Sequence, residues 1–171
     1  MENKLCKVKL NDLEELADLL VKFWKSQLYN PTDADILEDI RRMIDPKGIG
    51  RLILHKGKIA GFIYVNEKFG YLNNIEYLYV DEPFRGLGIA TFAINEIKKI
   101  ILSKGNERVQ IEVAPNNIKA LKLYHKLGFT CIDTWSLSTE ILGETVDINY
   151  KGLDFKINPK EVFQSKKIKK R

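Results

Sequence analysis

Two segments, one at the middle of the chain and one in its second half, carry residue types that could do chemistry together. The first is the run Arg85-Gly86-Leu87-Gly88-Ile89-Ala90, and the second is the frame N-x-x-A-x-x-x-Y-x-x-x-G-F at residues 117–129. The glycine-bearing run predicts a loop whose backbone N–H groups hold phosphate, and we call residues 85–90 the phosphate cradle. The second segment predicts a helix that presents one phenol.

The phosphate cradle lies between a predicted strand and a predicted helix. Amides at such a helix start have no intrahelical partner, and their partial positive charge suits phosphate oxygens. Gly86 and Gly88 would allow a close approach, Arg85 could add a charged fork, and Thr91 is placed to add a hydroxyl. A plain strand-to-helix turn is the alternative. A dinucleotide fingerprint fits poorly, and the sequence has no Gly-Lys-Ser/Thr that a Walker loop needs.

The second segment predicts a short helix with defined ends. Asn117 is a good N-cap, Gly128 predicts a left-handed C-terminal cap, and Phe129 follows it into the core. Tyr124 lies seven residues after Asn117, so both side chains project from nearly the same side of the helix. A phenol, with an ordinary pKa of about 10, could donate a proton to a departing thiolate. The alternative for Tyr124 is a core aromatic with a solvated hydroxyl.

Two carboxylates interrupt apolar strand sequences. Glu76 lies within Ile-Glu-Tyr-Leu-Tyr-Val, and Glu112 lies within Gln-Ile-Glu-Val-Ala-Pro. Each therefore needs a partner or water, and either could take the proton that an ammonium group must lose before its nitrogen attacks. Either could also merely face solvent from one side of its strand.

The elements that position these residues follow from hydrophobic periodicity. Helices are predicted near residues 13–23, 36–44, 88–102 and 117–127, and strands near 52–54, 59–65, 71–80 and 109–113. Residues 131–141 and 145–150 are predicted to form a closing antiparallel pair around Gly143. The strand–helix–strand–helix middle predicts parallel pairing, because crossovers bring such strands side by side. With no linker or internal repeat, we expect one α/β domain.

Composition limits the class of protein. The 171 residues are 44% apolar and 30% charged, without a stretch of about 20 apolar residues that a membrane span needs. The first residues lack the apolar segment of a secretory signal, so a cytoplasmic location is expected. The cysteines Cys6 and Cys131 and the histidines His55 and His125 are isolated, so no metal site is expected.

The net charge of +5 has a local source in a basic C-terminal tail. A solvated tail is one interpretation, and an electrostatic contact with nucleic acid or an anionic ligand is the other. Nucleic-acid binding is not favoured, because no reading motif accompanies the charge. The tail residues are Lys160, Lys166, Lys167, Lys169, Lys170 and Arg171.

In this order, the two segments resemble the GNAT superfamily of N-acetyltransferases. Residues 85–90 look like the family's Q/R-x-x-G-x-G/A cradle, and residues 117–129 look like its second motif. The resemblance implies an α/β domain over residues 1–155, with a central mixed twisted sheet of about six to seven strands flanked by about four helices. Residues 156–171 would be a basic extension.

The resemblance also implies a site and a reaction. The pyrophosphate of acetyl-CoA would lie on the cradle amides, and its pantetheine arm would follow Leu78, Tyr79 and Val80 where two parallel strands splay apart. Asn117 would bind the cofactor arm, Tyr124 would serve the leaving sulfur, and Glu112 or Glu76 would relay the proton of the amine. The amine would attack the thioester directly in a ternary complex, with a strand amide from Leu78 or Val80 steadying the oxyanion. The cofactor-binding set would be Leu78, Tyr79, Val80, Arg85, Gly86, Leu87, Gly88, Ile89, Ala90, Thr91, Asn117 and Tyr124.

The acceptor amine stays open at this level. Residues 24–36, in the region that shapes acceptor pockets in this family, match no recognised pattern, so a small molecule and a protein or peptide amine are both possible. Two other functions are left open: a non-catalytic acyl-CoA-binding regulatory module, and a ribosome- or RNA-associated protein that uses the basic tail. A homodimer is possible, since dimers are common in the family.

Overall fold

The computed structural model describes residues 2–27, 29–68, 70–115, 117–132, 137, 139 and 145–157. Within these ranges the structure has four α-helices and seven strands. The helices are α1 (Leu13–Ser26), α2 (Asp33–Ile44), α3 (Ile89–Ser103) and α4 (Ile118–Lys126). The strands are β1 (Asn3–Cys6), β2 (Ile49–His55), β3 (Lys58–Lys68), β4 (Tyr71–Val80), β5 (Gln110–Ile111), β6 (Val146–Tyr150) and β7 (Leu153–Ile157).

The strands lie in two sheets. Five of them follow the order β1-β2-β3-β4-β5, and β6 pairs with β7 in a separate hairpin. Neighbours from β1 to β4 are antiparallel, whereas β4 and β5 are parallel and are connected through α3. The predicted mixed α/β architecture, with parallel pairing in its middle, is confirmed.

The chain divides into two compact units. The first comprises residues 1–26 and 30–112 and contains the five-stranded sheet with α1, α2 and α3. The second comprises residues 27–29 and 113–171 and contains α4 and the β6–β7 hairpin. No helix in the described ranges is long and apolar enough to cross a membrane.

The core of the first unit forms where the apolar faces of its helices and sheet meet. Burial of these side chains removes apolar surface from water and is the main stabilising term. At Gly50 a Cβ would lie 1.9 Å from the carbonyl oxygen of Met43, so glycine lets the end of α2 lie directly against β2. The largest fully buried side chains are Phe62, Leu16, Leu20, Leu52, Ile53, Ile63, Ile75, Ile89, Ile94, Ile97, Ile101 and Val65.

Several predicted strand boundaries differ from those observed. The strand expected at residues 71–80 is found as predicted, but β2 is longer than the predicted 52–54 and β5 is shorter than the predicted 109–113. The strand predicted at residues 145–150 corresponds to β6, which the structure pairs with β7 across a turn at Lys151 and Gly152. Its predicted partner at residues 131–141 and the turn at Gly143 lie mostly outside the described residues.

Candidate functional site

The turn between β4 and α3 forms the phosphate cradle. Asp81 begins a short 3₁₀ turn (Glu82–Phe84) by accepting the Glu82 N–H at 3.0 Å. Its carboxylate also accepts a hydrogen bond of 2.8 Å from Lys22 Nζ on α1. Burial acts in the opposite direction, but these hydrogen bonds hold the pKa of Asp81 below its usual value. The start of the loop is therefore tied both to its own backbone and to α1.

The two cradle glycines have left-handed backbone angles. Gly86 has φ 80° and Gly88 has φ 73°, a region that side-chain-bearing residues rarely adopt. A Cβ at either position would meet no atom of the described residues within 4 Å. Glycine is thus required by the turn itself, and the space above it is open.

The first turn of α3 presents unpaired amides at this open space. The first intrahelical bond runs from the Phe92 N–H to the Gly88 oxygen at 3.0 Å. The N–H groups of Ile89, Ala90 and Thr91 therefore have no acceptor within the helix. Together with the helix dipole, they make this end of α3 suited to an anion.

Arg85 is directed back along the end of β4. Its Nε donates to the Val80 carbonyl at 2.9 Å, and its guanidinium lies 5.6 Å from the centroid of the Tyr79 ring. Its Nη1 lies 3.4 Å from the Glu82 carboxylate. In this conformation Arg85 braces the loop.

Among the described residues, no strand pairs with one edge of β4 at residues 76–80, next to the cradle, and we call this the open edge of β4. In the same part of the chain, the pairs between β4 and β5 are Asn74–Gln110 and Ile75–Ile111. The Asp81 N–H donates to Ala60 on the β3 side at 2.9 Å. Because backbone groups alternate in direction along a strand, the N–H groups of Leu78 and Val80 point toward the open edge.

A β-bulge occurs where β4 leaves β5. Tyr64 of β3 pairs with Tyr77, whereas the next residue, Val65, pairs with Ile75. Glu76 is therefore the extra residue on β4, and a bulge of this kind changes the direction of a side chain. It lets Glu76 and Tyr77, which a regular strand would direct to opposite faces, both contact α2.

The contact on α2 is Arg42. Its guanidinium forms an ion pair with Glu76 and donates to the Tyr77 hydroxyl at 2.5 Å. The group also lies 5.1 Å from the Tyr64 ring centroid and 5.3 Å from that of Tyr77. Burial disfavours its charge, but the neighbouring Tyr77 and Glu76 raise the pKa of Arg42 above its ordinary value. Arg42 is thus a fixed cation between two rings and a carboxylate.

A buried carboxylate lies beneath this pair. The Asp39 side chain is only 3% exposed, accepts from the Trp24 indole at 2.7 Å and from the Tyr77 hydroxyl at 3.2 Å, and lies 3.7 Å from Arg42. Burial, together with the charges of Asp39 and Glu76, raises the pKa of Tyr77, so its hydroxyl stays protonated as a donor. We call Trp24, Asp39, Arg42, Glu76 and Tyr77 the α2 network.

The second candidate carboxylate has a different setting. Glu112 follows β5, is 42% exposed, and accepts a hydrogen bond of 2.7 Å from Lys68 Nζ at the end of β3. The structure therefore places Glu76 in a half-buried aromatic network and Glu112 in an exposed ion pair. The sequence did not reveal Arg42, although Asp39 and Arg42 at i, i+3 on an amphipathic helix could have indicated a paired charge.

In the second unit, Asn117 caps α4 as predicted. Its side-chain oxygen accepts from the Ala120 N–H at 3.1 Å. This bond satisfies one of the donors at the helix start. The amide nitrogen of Asn117 can still donate to a ligand.

The spacing Y-x-x-x-G-F forms a helix cap around Tyr124. Gly128 has φ 90°, the Phe129 N–H donates to the Tyr124 carbonyl at 3.0 Å, and the Gly128 N–H donates to that of His125 at 3.1 Å. These two bonds define a Schellman motif, and the Phe129 ring lies 6.1 Å from that of Tyr124. Burial raises the pKa of Tyr124 to about 12, so the phenol is protonated at neutral pH.

No group of three or more His, Cys, Asp or Glu residues that could hold a metal ion occurs in the part of the chain that the structure describes. Glu76, the open edge of β4 and the cradle thus follow one another along the chain within the first unit. Asn117 and Tyr124 share one helix of the second unit.

Solved structures that are similar to this chain include several acetyltransferases. A possible acetyltransferase from Clostridium difficile 630 is 19% identical, with TM-score 0.67, and covers 84% of this chain and 100% of its own. AAC(6')-Iy, in complex with the bisubstrate analog CoA-S-monomethyl-acetylneamine, is 17% identical, with TM-score 0.69, and covers 82% and 99%. Ribosomal-protein-alanine N-acetyltransferase from Brucella melitensis biovar Abortus 2308 is 18% identical, with TM-score 0.65, and covers 82% and 100%. At these identities the likeness shows a shared fold.

The sequence also matches the model of one protein family. The model of the acetyltransferase (GNAT) family matches residues 13–129, a range that runs from α1 through the Schellman cap and includes both sequence motifs. This match covers more than half of the chain, and the chain therefore belongs to the acetyltransferase (GNAT) family.

Proposed function

We propose that this protein is an acetyl-CoA-dependent N-acetyltransferase, which transfers the acetyl group to a primary amine of a small molecule, peptide or protein. The observation that carries the proposal is the continuous run from the open edge of β4 through the left-handed glycine turn to the unpaired amides of α3. Membership of the acetyltransferase family supports the same reaction.

The donor would be held by backbone groups. The N–H groups at the start of α3 would donate hydrogen bonds to the pyrophosphate oxygens, because they are unpaired and lie at the positive end of the helix dipole. The pantetheine arm carries amide groups that need hydrogen-bond partners. The open edge at Leu78 and Val80 would supply them as an additional strand does.

The reaction would proceed by direct attack. The acceptor nitrogen, once deprotonated, would form a C–N bond to the thioester carbon, and the carbonyl oxygen would gain charge. The C–S bond would then break as the nitrogen loses its remaining extra proton and the sulfur gains one, so that the products are the acetylated amine and the CoA thiol. An N–H of Leu78 or Val80 would stabilise the oxyanion. The Tyr124 phenol would donate a hydrogen bond to the leaving sulfur, and Asn117 would contact the cofactor arm.

The proton of the acceptor ammonium needs a carboxylate. Both Glu76 and Glu112 can serve, directly or through water. Both carboxylates are in ion pairs, but the α2 network favours Glu76, because it fixes that carboxylate at the bulge beside the open edge of β4, while Glu112 is more exposed.

The two glutamates can be separated by matched variants. We expect Glu76→Gln to lower kcat/KM for the acceptor by about 100-fold, the usual scale of general-base catalysis, and Glu112→Gln to lower it less than about threefold. Steady-state thiol release at saturating acetyl-CoA measures both. The reverse order would assign the proton relay to Glu112.

The reaction itself is tested by a panel of amines and peptides with acetyl-CoA, with thiol release followed optically and the acetylated product identified by mass spectrometry. Acetyl-CoA at 100 times its dissociation constant should raise the free energy of unfolding by about 2.7 kcal/mol. Stabilisation without turnover on any amine would indicate a binding module. No stabilisation would contradict the proposed donor site.

A further inference from the structure

We infer that Arg42 is a positioning residue for Glu76: through the ion pair at the β4 bulge it holds the carboxylate in one orientation for the acceptor ammonium. This inference rests on the proposed function, because it assigns the proton relay to Glu76. It adds a residue of α2 to the residues proposed for this reaction.

The bulge makes this contact possible. With Glu76 as the extra residue between the pairs Tyr64–Tyr77 and Val65–Ile75, one guanidinium can reach consecutive side chains of β4. Arg42 does so with Glu76 and the Tyr77 hydroxyl. A regular strand would direct one of these side chains away from α2.

The guanidinium is itself held from several sides. The Tyr64 and Tyr77 rings lie within cation–π distance, and the Asp39 carboxylate lies 3.7 Å away. Asp39 is in turn fixed by the Trp24 indole. Movement of Arg42 would leave the buried Asp39 charge with less compensation, which is costly in a low-dielectric interior. Arg42 is therefore anchored, and its ion pair restricts the orientation of the Glu76 carboxylate.

The charges of the network fit this role. Asp39 is buried, whereas the side chains of Arg42 and Glu76 are 31% and 23% exposed, so the Arg42–Glu76 ion pair is the outer end of the network. The ion pair already restricts the rotamers of Glu76. Binding of an ammonium group to its carboxylate would therefore cost little further side-chain entropy. Arg42 acts through Glu76 and need not touch the acceptor.

A double-mutant cycle on activity tests the coupling. We expect Arg42→Gln to lower acceptor kcat/KM about tenfold when Glu76 is present, and less than about twofold in the Glu76→Gln background. Arg42→Lys should recover only part of the loss, because lysine lacks the planar fork that reaches two partners. An equal loss in both backgrounds, no loss with Glu76 present, or full recovery by lysine would overturn the inference.

Arg41→Gln is the matched control. Arg41 is exposed on the adjacent position of α2, so its replacement should leave kcat/KM and the melting temperature unchanged. Unfolded protein is accounted for by circular dichroism of each variant, since a loss of folded fraction would lower activity equally in both backgrounds of the cycle.

A measurement that does not need turnover separates this inference from the proposed function. In ¹⁵N-arginine-labelled protein, the guanidinium protons of Arg42 should exchange slowly with water and lose that protection in Glu76→Gln, with the signal assigned through Arg42→Gln. Protection that depends on Glu76 in a protein without acetyl transfer would sustain the pairing and contradict the proposed function. Protection unchanged by Glu76→Gln would overturn the pairing even in an active enzyme.

Discussion

Replacing Gly88 by aspartate is expected to weaken acetyl-CoA binding by about 100-fold while leaving the protein folded. Gly88 stands at the N-cap of α3 with φ 73°, and a side chain there would enter open space in front of the unpaired amides. An aspartate carboxylate is itself attracted to these amides. It would compete with the pyrophosphate for them and repel it by charge.

Gly88→Asn is the control that isolates charge. Asparagine and aspartate have nearly the same shape, and both tolerate left-handed backbone angles better than other side chains do. We expect asparagine to weaken binding by less than about fivefold. The free energy of unfolding should be at least as high for aspartate as for asparagine, because a negative charge at this helix end is favourable.

Binding by calorimetry and unfolding by denaturant measure the two effects separately. Of the two variants, the aspartate protein is expected to bind acetyl-CoA more weakly but to have the higher free energy of unfolding. Equal affinity of the two variants would show that the pyrophosphate does not lie at the start of α3.

The parts of this site that could be predicted from the sequence depend on local rules. The glycines between a strand and a helix predicted an amide cradle, and their positive φ angles explain why glycine stands there. Asn117 and Gly128 predicted the two ends of α4, because caps are decided within one turn of the chain. The boundaries of β4 followed from a run of aromatic and β-branched residues, after which Pro83 and Gly86 do not allow the strand to continue.

The parts that the sequence did not reveal depend on partners distant in sequence. The choice between Glu76 and Glu112 requires the direction of each side chain, and the bulge that sets it for Glu76 appears only in the register between β3 and β4. Arg42 is 34 residues from the glutamate it binds. No short-range pattern reports such a pair, so α2 looked like an ordinary amphipathic helix.

The β6–β7 hairpin shows a different limit. Residues 153–157 alternate apolar and polar side chains, and Lys151 and Gly152 both have positive φ, as a two-residue hairpin turn requires. The sequence therefore carries the signal of this hairpin, although a strand at residues 153–157 is not among the predicted strands. Lysine is uncommon at a turn position with positive φ, here 52°, so Lys151-Gly152 is a weak sequence signal for a hairpin turn.

Replacing Tyr124 by phenylalanine is expected to lower kcat by about 30-fold and to change the KM for acetyl-CoA by less than about twofold. Burial raises the pKa of the phenol to about 12, so it stays protonated throughout the working pH range. A simple thiol has a pKa of about 8.5, so full proton transfer from this phenol to the thiolate is uphill. Tyr124 would therefore act chiefly as a hydrogen-bond donor to the developing sulfur charge.

The pH dependence gives an independent check on the phenol. Its pKa in the folded protein lies above the unfolded value of about 10, so its contribution to stability is complete below pH 10 and declines as the pH rises toward 12. Tyr124→Phe should make the loss of stability between pH 8 and pH 11 smaller, as measured by denaturant unfolding, while Tyr64, Tyr77 and Tyr79, whose pKa values are also raised, keep their part of the decline. Since the ring packs against Phe129 in either protein, the cap of α4 should be retained, and circular dichroism reports this. A variant with unchanged kcat but the altered alkaline stability would show that Tyr124 is a buried aromatic without a role at the leaving sulfur.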